Sequence, residues 1–344
     1  MKQELLDETL LKEGQKKLLR TLEELDKILL GQHKLHELVL IGILSRGHIL
    51  LEGLPGVGKT ALVKALGEIL SLKFSRVQFT PDLLPGDITG GSILQTAPDG
   101  SRNFEFQPGP IFTNILLADE INRASPKTQS AMLEAMQERQ VTWGGVSRQL
   151  PEPFFVLASQ NPVELEGTYP IPEAQLDRFL FKLNVTQVDV ETLTEIIASR
   201  RRGEPEKVTF TLSQEDLQSC FELMEQIHLS RPVASYIARL VGAAHPGNPE
   251  ELKEVTRFVA WGPSPRAAIA MAESARAAAL LRGHNAVSFE DVKQVAEAVL
   301  NHRIVLNYNA KLEKKSASDL VSELLKGVPC ADPGLPAGIT FEKE

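Results

Sequence analysis

The chain has 344 residues, of which 42% are hydrophobic and 24% charged, a composition typical of a globular protein with two domains. Its net charge of −8 argues against a dedicated nucleic-acid binder, because such proteins usually carry a basic surface. The two cysteines, Cys220 and Cys330, lack metal-ligand spacing, and no apolar run is long enough to cross a bilayer. We therefore expect a cytoplasmic protein with reduced thiols and no membrane insertion.

The first predicted elements are two helices. Residues 1 to about 30 have a charged amphipathic helical pattern that ends at Gly31, without the apolar stretch of a signal peptide. A second apolar rhythm runs from Gln32 to Ser45 and predicts another helix.

Five short apolar segments beyond these helices are strand candidates. They span residues 48–52, 73–79, 114–118, 154–159 and 179–185. Because helical or loop segments separate them, they predict an α/β fold with a largely parallel sheet covered on both faces. Ligands of such sheets bind beyond the carboxyl ends of the strands.

The most specific motif follows the first strand candidate. Residues 53–60 read GLPGVGKT and fit the phosphate-loop pattern G-x-x-x-x-G-K-[ST], with a helical pattern over 60–70 after it. Such a loop turns its backbone N–H groups toward a polyphosphate, its lysine reaches the β and γ phosphates, and its hydroxyl binds Mg²⁺. We therefore predict that the chain binds a nucleoside triphosphate with Mg²⁺. The predicted contact residues are Gly53, Leu54, Pro55, Gly56, Val57, Gly58, Lys59 and Thr60.

Two insertions interrupt the alternation of strands and helices. Residues 82–110 are rich in glycine and proline, which predicts a loop-rich segment. Residues 140–149 have strand-like arms around Gly144 and Gly145, a pair that favours a hairpin turn.

Polar residues at the ends of later strands supply candidate chemistry. Asp119 and Glu120 end the apolar run ILLADE, where the first carboxylate can hold the Mg²⁺ shell and the second can polarise water for attack on the γ-phosphate. Asn161 follows the next strand, and its neutral amide can orient that water. Taken alone, Asn161 followed by proline is also a plain turn signal.

Two arginines are further candidates. Arg178 precedes the last strand, where it is either a surface ion-pair partner or a group offered to the ATP of a neighbouring subunit. Arg266 lies in the first turn of a later helix behind Pro265, which suits the first helical position and lets the helix aim the arginine outward.

Helical patterns predominate after about residue 190. They cover residues 191–201, 214–228, 233–245, 265–281 and 289–301. We predict an α/β domain over 1–190, a helical domain over 191–310, and a C-terminal helix with a Pro/Gly-rich tail over 311–344.

These motifs together resemble those of MoxR-family AAA+ ATPases, which belong to the helix-2-insert clade. The matching segments, within about residues 30–305, are GLPGVGKT, QFTPDLLPGDITG, LLADEINRASPKTQSAMLEAMQERQVTWGG, LASQNP, EAQLDRF and GPSPRA. The resemblance implies a P-loop AAA+ fold, in which a doubly wound five-stranded parallel sheet is followed by a C-terminal all-α lid domain. It also implies that the 82–110 insertion and the 140–149 hairpin face the axial channel of a ring.

The resemblance gives a role to each candidate near the phosphate loop. Lys59 is similar to the residue that contacts phosphate, and Thr60 and Asp119 are similar to those that serve the Mg²⁺ site. Glu120 is similar to the residue that activates water, and Asn161 resembles sensor 1.

Five further residues have roles by the same resemblance. Arg178 is similar to the arginine finger, which acts on the ATP of the adjacent subunit, and Arg266 resembles sensor 2. Gln32 falls in the segment that contacts adenine. Arg123 is either a second interfacial arginine or a local salt-bridge partner, and Trp143 either contacts the substrate or packs against the insertion.

The implied function is Mg²⁺-dependent ATP hydrolysis in a homo-oligomeric ring, expected to be a hexamer. The ring would mature or activate client proteins, such as those with von Willebrand factor type A domains. Three alternatives stay open: a metal-chelatase motor subunit, a helicase-like nucleic-acid motor, and an ATP-dependent switch without enzymatic activity. A nucleic-acid motor needs cations in its channel, where the insertion and the hairpin offer only Arg102 and Arg148.

Overall fold

The computed structural model describes residues 7–96, 102–162, 167–200, 206–249 and 251–330. The chain divides into two compact units, of which the larger is Glu13–Glu222 and the smaller combines Met1–Lys12 with Leu223–Glu344. The start of the first predicted helix (residues 1–6) and the tail beyond residue 330 lie outside the described residues. The predicted domain boundaries after residues 190 and 310 stay predictions.

The larger unit alternates helices with strands. Its elements in chain order are α1 (Glu8–Ile28), α2 (His33–Leu44), β1 (Ile49–Glu52), α3 (Lys59–Ile69), β2 (Phe74–Gln78), α4 (Pro85–Thr89), β3 (Gly90–Thr96), β4 (Arg102–Pro108), β5 (Ile115–Asp119), α5 (Pro126–Glu138), β6 (Gln140–Trp143), β7 (Val146–Gln149), β8 (Phe155–Gln160), α6 (Glu173–Leu176), β9 (Phe181–Asn184), α7 (Val190–Ser199) and α8 (Gln214–Gln226). The first residues of α1 and the last residues of α8 are counted with the smaller unit.

Five of these strands form one sheet in the order β2-β5-β8-β1-β9, and every pairing in it is parallel. The predicted five-stranded α/β sheet is therefore confirmed, with each strand end within two residues of its predicted position. Every residue of β5 is buried, which explains why its sequence is continuously apolar rather than alternating.

Local sequence signals explain where the flanking helix α5 begins. At the start of α5, the Ser125 hydroxyl accepts a hydrogen bond from the Thr128 N–H at 3.4 Å, and Pro126 occupies the first helical position. Met132 on α5 is buried in one apolar cluster with Leu116 of β5 and Val156 of β8. This core supports the strand ends that carry the polar candidates.

The prediction of a loop-rich 82–110 insertion is wrong for residues 82–96 and 102–110, while residues 97–101 lie outside the described ranges. The segment holds the short helix α4 and an antiparallel pair of strands, β3 and β4, with partners from Gly90–Pro108 to Thr96–Arg102. Its glycines serve the neck of this hairpin, because a Cβ on Gly109 would lie 2.2 Å from the Ile88 carbonyl oxygen. They permit two chain segments to cross closely, and they do not mark a loop.

The segment predicted to form the second hairpin contains β6 and β7, which pair antiparallel from Gln140–Gln149 to Trp143–Val146. Gly144 and Gly145 connect the two strands with φ angles of 58° and 78°, which is the left-handed conformation that this two-residue turn requires.

Over its described residues, the smaller unit is helical apart from one two-stranded pair. Its remaining elements are α9 (Arg231–Ala243), α10 (Lys253–Phe258), β10 (Val259–Trp261), α11 (Pro265–Leu281), α12 (Phe289–Leu300), β11 (Val305–Leu306), α13 (Tyr308–Leu312) and α14 (Ala317–Gly327). The predicted helices 233–245, 265–281 and 289–301 are confirmed, whereas the short β10–β11 pair was not predicted because each strand has at most three residues. Among the described residues, no helix combines the length and the apolar character that a membrane span needs.

Candidate active site

The phosphate loop connects the end of β1 to the start of α3. A Cβ on Gly53 would lie 2.4 Å from the Val185 carbonyl oxygen, so only glycine fits at the first position of the motif. Gly58 has a φ of 93°, which a residue with a side chain would adopt only under strain, and α3 begins directly after it at Lys59. The motif thus places Lys59 and Thr60 in the first turn of a helix whose N–H groups face the loop.

Lys59 lies across the beginning of its own loop. Its Nζ donates hydrogen bonds to the carbonyl oxygens of Gly53 and Leu54, the second at 3.1 Å. Burial lowers the pKa of the Lys59 amine below its usual value of 10.5, while the charges of Asp119 and Glu120 oppose that shift. The ammonium group is therefore within electrostatic reach of both acids.

The phosphate loop, both acids and the amide of Asn161 line one cleft of about 360 Å³. The predicted residues in its lining are Pro55, Gly56, Gly58, Lys59, Thr60, Asp119, Glu120 and Asn161. They come together because β5 and β8 are adjacent in the sheet and both end beside the loop after β1.

Asp119 is 8% exposed, and each oxygen of its carboxylate accepts a hydrogen bond. The Ser159 hydroxyl donates to Oδ1 at 2.5 Å. The Arg76 guanidinium donates to Oδ2 through Nε at 3.1 Å and through Nη2 at 2.7 Å. A buried carboxylate is thus held by one hydroxyl and one cation from the strands on either side.

Glu120 occupies the turn that follows β5. Its φ of 57° and ψ of 49° are left-handed, and its N–H donates to the Ser159 hydroxyl at 2.9 Å. Its carboxylate accepts hydrogen bonds from Gln78 Nε2 at 2.7 Å and from Arg123 Nη1 at 3.3 Å. Of the two interpretations of Arg123, the structure therefore contains the local ion pair.

The oxygen groups of Thr60 and Asp119 suit Mg²⁺, which prefers hard oxygen ligands. Within the described ranges, no group of three or more His, Cys, Asp or Glu side chains could hold a metal by itself. Mg²⁺ bound with a nucleotide keeps several waters and takes phosphate oxygens beside one or two protein groups, a number that Thr60 and Asp119 can supply.

A second cavity of about 500 Å³ adjoins the phosphate loop. It shares Pro55, Gly56, Gly58 and Ala61 with the acidic cleft, and its other walls are mainly apolar. These walls are formed by Ile28, Leu29, Leu30, Val57, Val188, Leu193 and Ile196, with Gln32, Thr186, Gln187 and Arg200 among them. Gln32 donates from Nε2 to the Thr186 carbonyl oxygen at 3.3 Å. An apolar cavity that adjoins a phosphate loop suits a nucleobase and its sugar.

The two predicted arginines do not line either cavity. The Arg178 side chain is half-buried and has no hydrogen-bond or ion-pair partner within the described part of the chain. Arg266 belongs to the smaller unit, where its N–H donates to the Ser264 hydroxyl at 3.2 Å at the start of α11. The roles of both residues stay predictions.

Trp143 packs against the insertion and remains partly exposed. Its Nε1 donates to the Ser92 hydroxyl of β3 at 3.1 Å, while 42% of the residue is accessible to solvent. Both interpretations of Trp143, packing and substrate contact, are therefore compatible with its position.

Sequence reasoning missed three side chains that hold the acids: Arg76, Gln78 and Ser159. The alternation of polar Arg76 and Gln78 on β2 was a signal, since two polar residues at period 2 lie on one face of a strand. It could not be used because the sequence does not reveal that β2 lies next to the acid-bearing β5.

Both units match known family models. Residues 48–181 match the model of the ATPase family associated with various cellular activities (AAA), and residues 252–324 match the AAA lid domain. The chain is 44% identical over 311 residues to Chaperone MoxR1 of Mycobacterium tuberculosis, covering 90% of this chain and 81% of that protein. It is 28% identical over 323 residues to Protein MoxR of Methylorubrum extorquens, covering 89% and 93%. A crystal structure of a proposed ATPase from Cytophaga hutchinsonii superposes with a TM-score of 0.84 at 40% identity, over 94% of this chain and 97% of that one.

Proposed function

This chain belongs to the MoxR family of AAA+ ATPases, and we propose that it hydrolyses ATP with Mg²⁺ at subunit interfaces of a ring to remodel partner proteins. The observation that carries this proposal is the single cleft shared by the phosphate loop, Asp119, Glu120 and Asn161. The name of the tuberculosis relative, a chaperone, supports the remodelling of proteins as the purpose of hydrolysis. We place this activity in the cytoplasm.

ATP would bind with its phosphates along the loop and its base in the apolar cavity beside it. The backbone N–H groups of the loop and the Lys59 ammonium would neutralise the phosphate oxygens. Gln32 and the apolar walls around it would contact the base. Thr60 and Asp119 would hold Mg²⁺, whose charge polarises the phosphate oxygens when it is bound.

Glu120 is the proposed general base. Its carboxylate would take a proton from the attacking water, and the Asn161 amide would orient that water without competing for the proton. The γ-phosphoryl group then passes to the water oxygen as its bond to the ADP oxygen breaks. The left-handed turn at Glu120 and its hydrogen bonds with Gln78 and Arg123 hold this residue in the lining of the cleft.

Arg178 is the proposed arginine finger of the adjacent subunit. Its position outside both cavities of its own chain supports action on a neighbour, and so does the lack of a side-chain partner within the described ranges. An arginine finger contributes about 10³–10⁵ in rate, so an isolated subunit would bind ATP and hydrolyse it very slowly. We propose a hexamer as the active ring, with Arg266 as the lid residue that senses the nucleotide.

The two hairpins β3–β4 and β6–β7, the paired hairpins from here on, are the proposed contact surface for a client protein. They expose large apolar side chains, namely Ile93, Leu94, Phe104, Trp143 and Val146. Exposed apolar groups of this kind suit chaperone-like contact with a protein better than contact with a phosphate backbone. Clients with a von Willebrand factor type A domain are the proposed class.

The substitution Glu120→Gln tests the proposal directly. We expect ATP affinity to stay within about twofold of wild type and phosphate release to fall by about 10²–10⁴, the usual contribution of a general base. Glu134→Gln, on the exposed side of α5, is the matched control and should leave both quantities unchanged. Undiminished phosphate release from Glu120→Gln would show that another residue is the general base. A wild-type chain that binds no ATP would refute the proposed function as a whole.

A further inference from the structure

Strand β2 presents two polar side chains to the acidic edge of β5. Arg76 and Gln78 are two residues apart and therefore lie on one face of the strand. In the parallel pairing, Gln78 is the partner of Asp119 and Arg76 is the partner of Leu117. The sheet order thus sets both side chains beside the two carboxylates of the site.

A continuous chain of hydrogen bonds joins the two acids through these side chains. Arg76 donates to Asp119 Oδ2 through Nε and Nη2, and Nη2 also donates to Gln78 Oε1 at 2.7 Å. Gln78 in turn donates from Nε2 to Glu120 Oε2 at 2.7 Å. The order of this relay is Asp119, Arg76, Gln78, Glu120.

The two members of the Arg76–Asp119 ion pair differ in their access to water. The side chain of Arg76 is 47% exposed and that of Asp119 is 12% exposed. The carboxylate therefore needs a counter-charge at all times, because a buried unpaired charge is costly. The guanidinium, by contrast, can rotate into solvent, where water solvates its charge.

Asp119 has one oxygen that a metal can use only by replacing Arg76. Oδ2 accepts two hydrogen bonds from the guanidinium, which occupy both of its lone pairs. Oδ1 accepts one, from the buried Ser159 hydroxyl that also accepts from the Glu120 N–H. Two cations at one carboxylate oxygen would repel each other at short range in a partly buried site.

We propose that Arg76 is an exchangeable counter-ion of Asp119, which Mg²⁺ displaces when it binds with the nucleotide. This inference rests on the proposed function, since Asp119 is taken as a metal ligand. The exchange keeps Asp119 neutralised in both states. It also removes Arg76 from Gln78 Oε1, so that Gln78 transmits the arrival of the metal to the Glu120 carboxylate. Arg76 is thus a positioning residue that acts through Asp119 and Gln78.

The test is an equilibrium titration of Mg²⁺ that does not depend on turnover. Full-length protein is saturated with a ribose-labelled fluorescent ADP, free Mg²⁺ is set with a metal buffer, and the half-saturating Mg²⁺ concentration is read from the fluorescence. For Arg76→Ala we expect this concentration to fall about tenfold, the strength of one charge-assisted hydrogen-bonded pair. Arg76→Lys should lower the half-saturating Mg²⁺ concentration less, about threefold, because the lysine ammonium keeps the charge but lacks the two parallel N–H donors of the guanidinium.

Gln78→Ala is the matched control, since it breaks the relay and leaves the Arg76–Asp119 pair in place. Its half-saturating Mg²⁺ concentration should stay within about twofold of wild type. An unchanged or raised concentration for the Arg76 variants, or an equal fall in Gln78→Ala, would overturn the exchange. If Arg76→Ala does not fold, as judged by circular dichroism, Arg76→Lys decides the question alone.

The same titration separates this inference from the proposed function. In the presence of a chelator, labelled ADP should bind wild type and all variants alike. Failure of wild type to bind labelled ADP with or without Mg²⁺ would refute nucleotide binding itself. Normal ADP binding with an unshifted Mg²⁺ dependence would refute only the role of Arg76.

Discussion

The nucleotide cleft and the paired hairpins lie in one unit of the chain and are built in opposite ways. In the cleft, the carboxylates of Asp119 and Glu120 each accept at least two hydrogen bonds, and the strands beneath them are buried. In the hairpins, Phe104 is 77% exposed, and the contacts between the hairpins include a hydrogen bond from Trp143 to Ser92 and the Arg148 guanidinium 3.9 Å from the centre of the Phe106 ring.

This difference indicates which part of the molecule is preorganised for chemistry and which is open to a partner. Fixed acids lower the barrier for hydrolysis because little reorganisation is needed in the transition state. Exposed apolar side chains have a stabilising partner only when another protein covers them. Substitutions in the two regions should therefore separate hydrolysis from client contact.

The largest effect is expected from Arg178, which lines neither the cleft nor the apolar cavity beside it. Arg178→Ala should leave ATP affinity within about twofold and lower phosphate release by about 10³-fold or more, as expected for an arginine finger. Phosphate release under saturating ATP, with a parallel nucleotide-binding titration, measures both. Arg123→Ala is the comparison, and its loss should be about tenfold or smaller, because Arg123 makes a part-exposed ion pair at 3.3 Å. Equal losses of phosphate release in the two variants would contradict the role of Arg178 as an arginine finger.

The second effect concerns the stability of the unit that bears the cleft. His48 is buried directly before β1, where its ring Nδ1 accepts from the Val156 N–H at 3.0 Å and its Nε2 lies 3.2 Å from the Met136 carbonyl oxygen. Burial lowers the pKa of His48 from 6.5 to about 4. Between pH 6.5 and 4 the unfolded chain binds a proton at His48 that the folded chain does not. The unfolding free energy is therefore unaffected by His48 titration above pH 6.5 and decreases as pH falls toward 4.

At 1.36 kcal/mol per pKa unit, this loss amounts to about 3 kcal/mol of unfolding free energy at pH 4. Denaturant unfolding between pH 4 and 7.5 measures this loss. His48→Gln is the control, because glutamine offers a donor and an acceptor but no titration. A wild-type slope with pH no steeper than that of His48→Gln would contradict the assignment.

The third effect comes from the buried hydroxyl that holds both acids. Ser159→Ala removes the donor to Asp119 and the acceptor of the Glu120 N–H. Leaving these groups unsatisfied should cost about 1–3 kcal/mol and lower Mg²⁺-dependent hydrolysis about tenfold. Ser159→Thr keeps the hydroxyl and should lose less on both measures. If alanine and threonine behave alike, the hydrogen bonds of Ser159 do not organise the site.

The smallest effect on hydrolysis is expected in the hairpins. Phe104→Ser removes an exposed ring, so hydrolysis without a client should change by less than about twofold. The same substitution should reduce binding of the dye anilinonaphthalene sulfonate, which reports exposed apolar surface. A large loss of hydrolysis would show that the hairpins are coupled to the cleft even in the absence of a client.

The sequence was most informative where one short motif needs one backbone geometry. The glycines of 53–60 predicted the phosphate loop, and five short apolar segments predicted the five strands. Together they predicted that Lys59, Asp119 and Asn161 meet at one edge of the sheet. These predictions rest on local chain geometry and on the general rule that parallel strands end together.

The sequence was less informative where function depends on which strands are neighbours. Arg76 and Gln78 lie about forty residues from the acids they contact, and only the adjacency of β2 and β5 brings them together. The insertion was mistaken for a loop because glycine permits a close crossing of chains as well as a flexible turn. The partner of Arg178, in our proposal, belongs to another subunit, and a single chain does not contain it.

Subunit mixing tests most directly whether each catalytic centre is built from two copies of the chain. Lys59→Ala subunits keep the arginine but lack the phosphate contact, and Arg178→Ala subunits have the opposite defect. In an equal mixture, about a quarter of the interfaces of a ring would join an intact cleft to an intact arginine, so ATP hydrolysis should recover to about that fraction of wild type. A mixture that is no more active than the sum of the two separate variants would contradict the shared site.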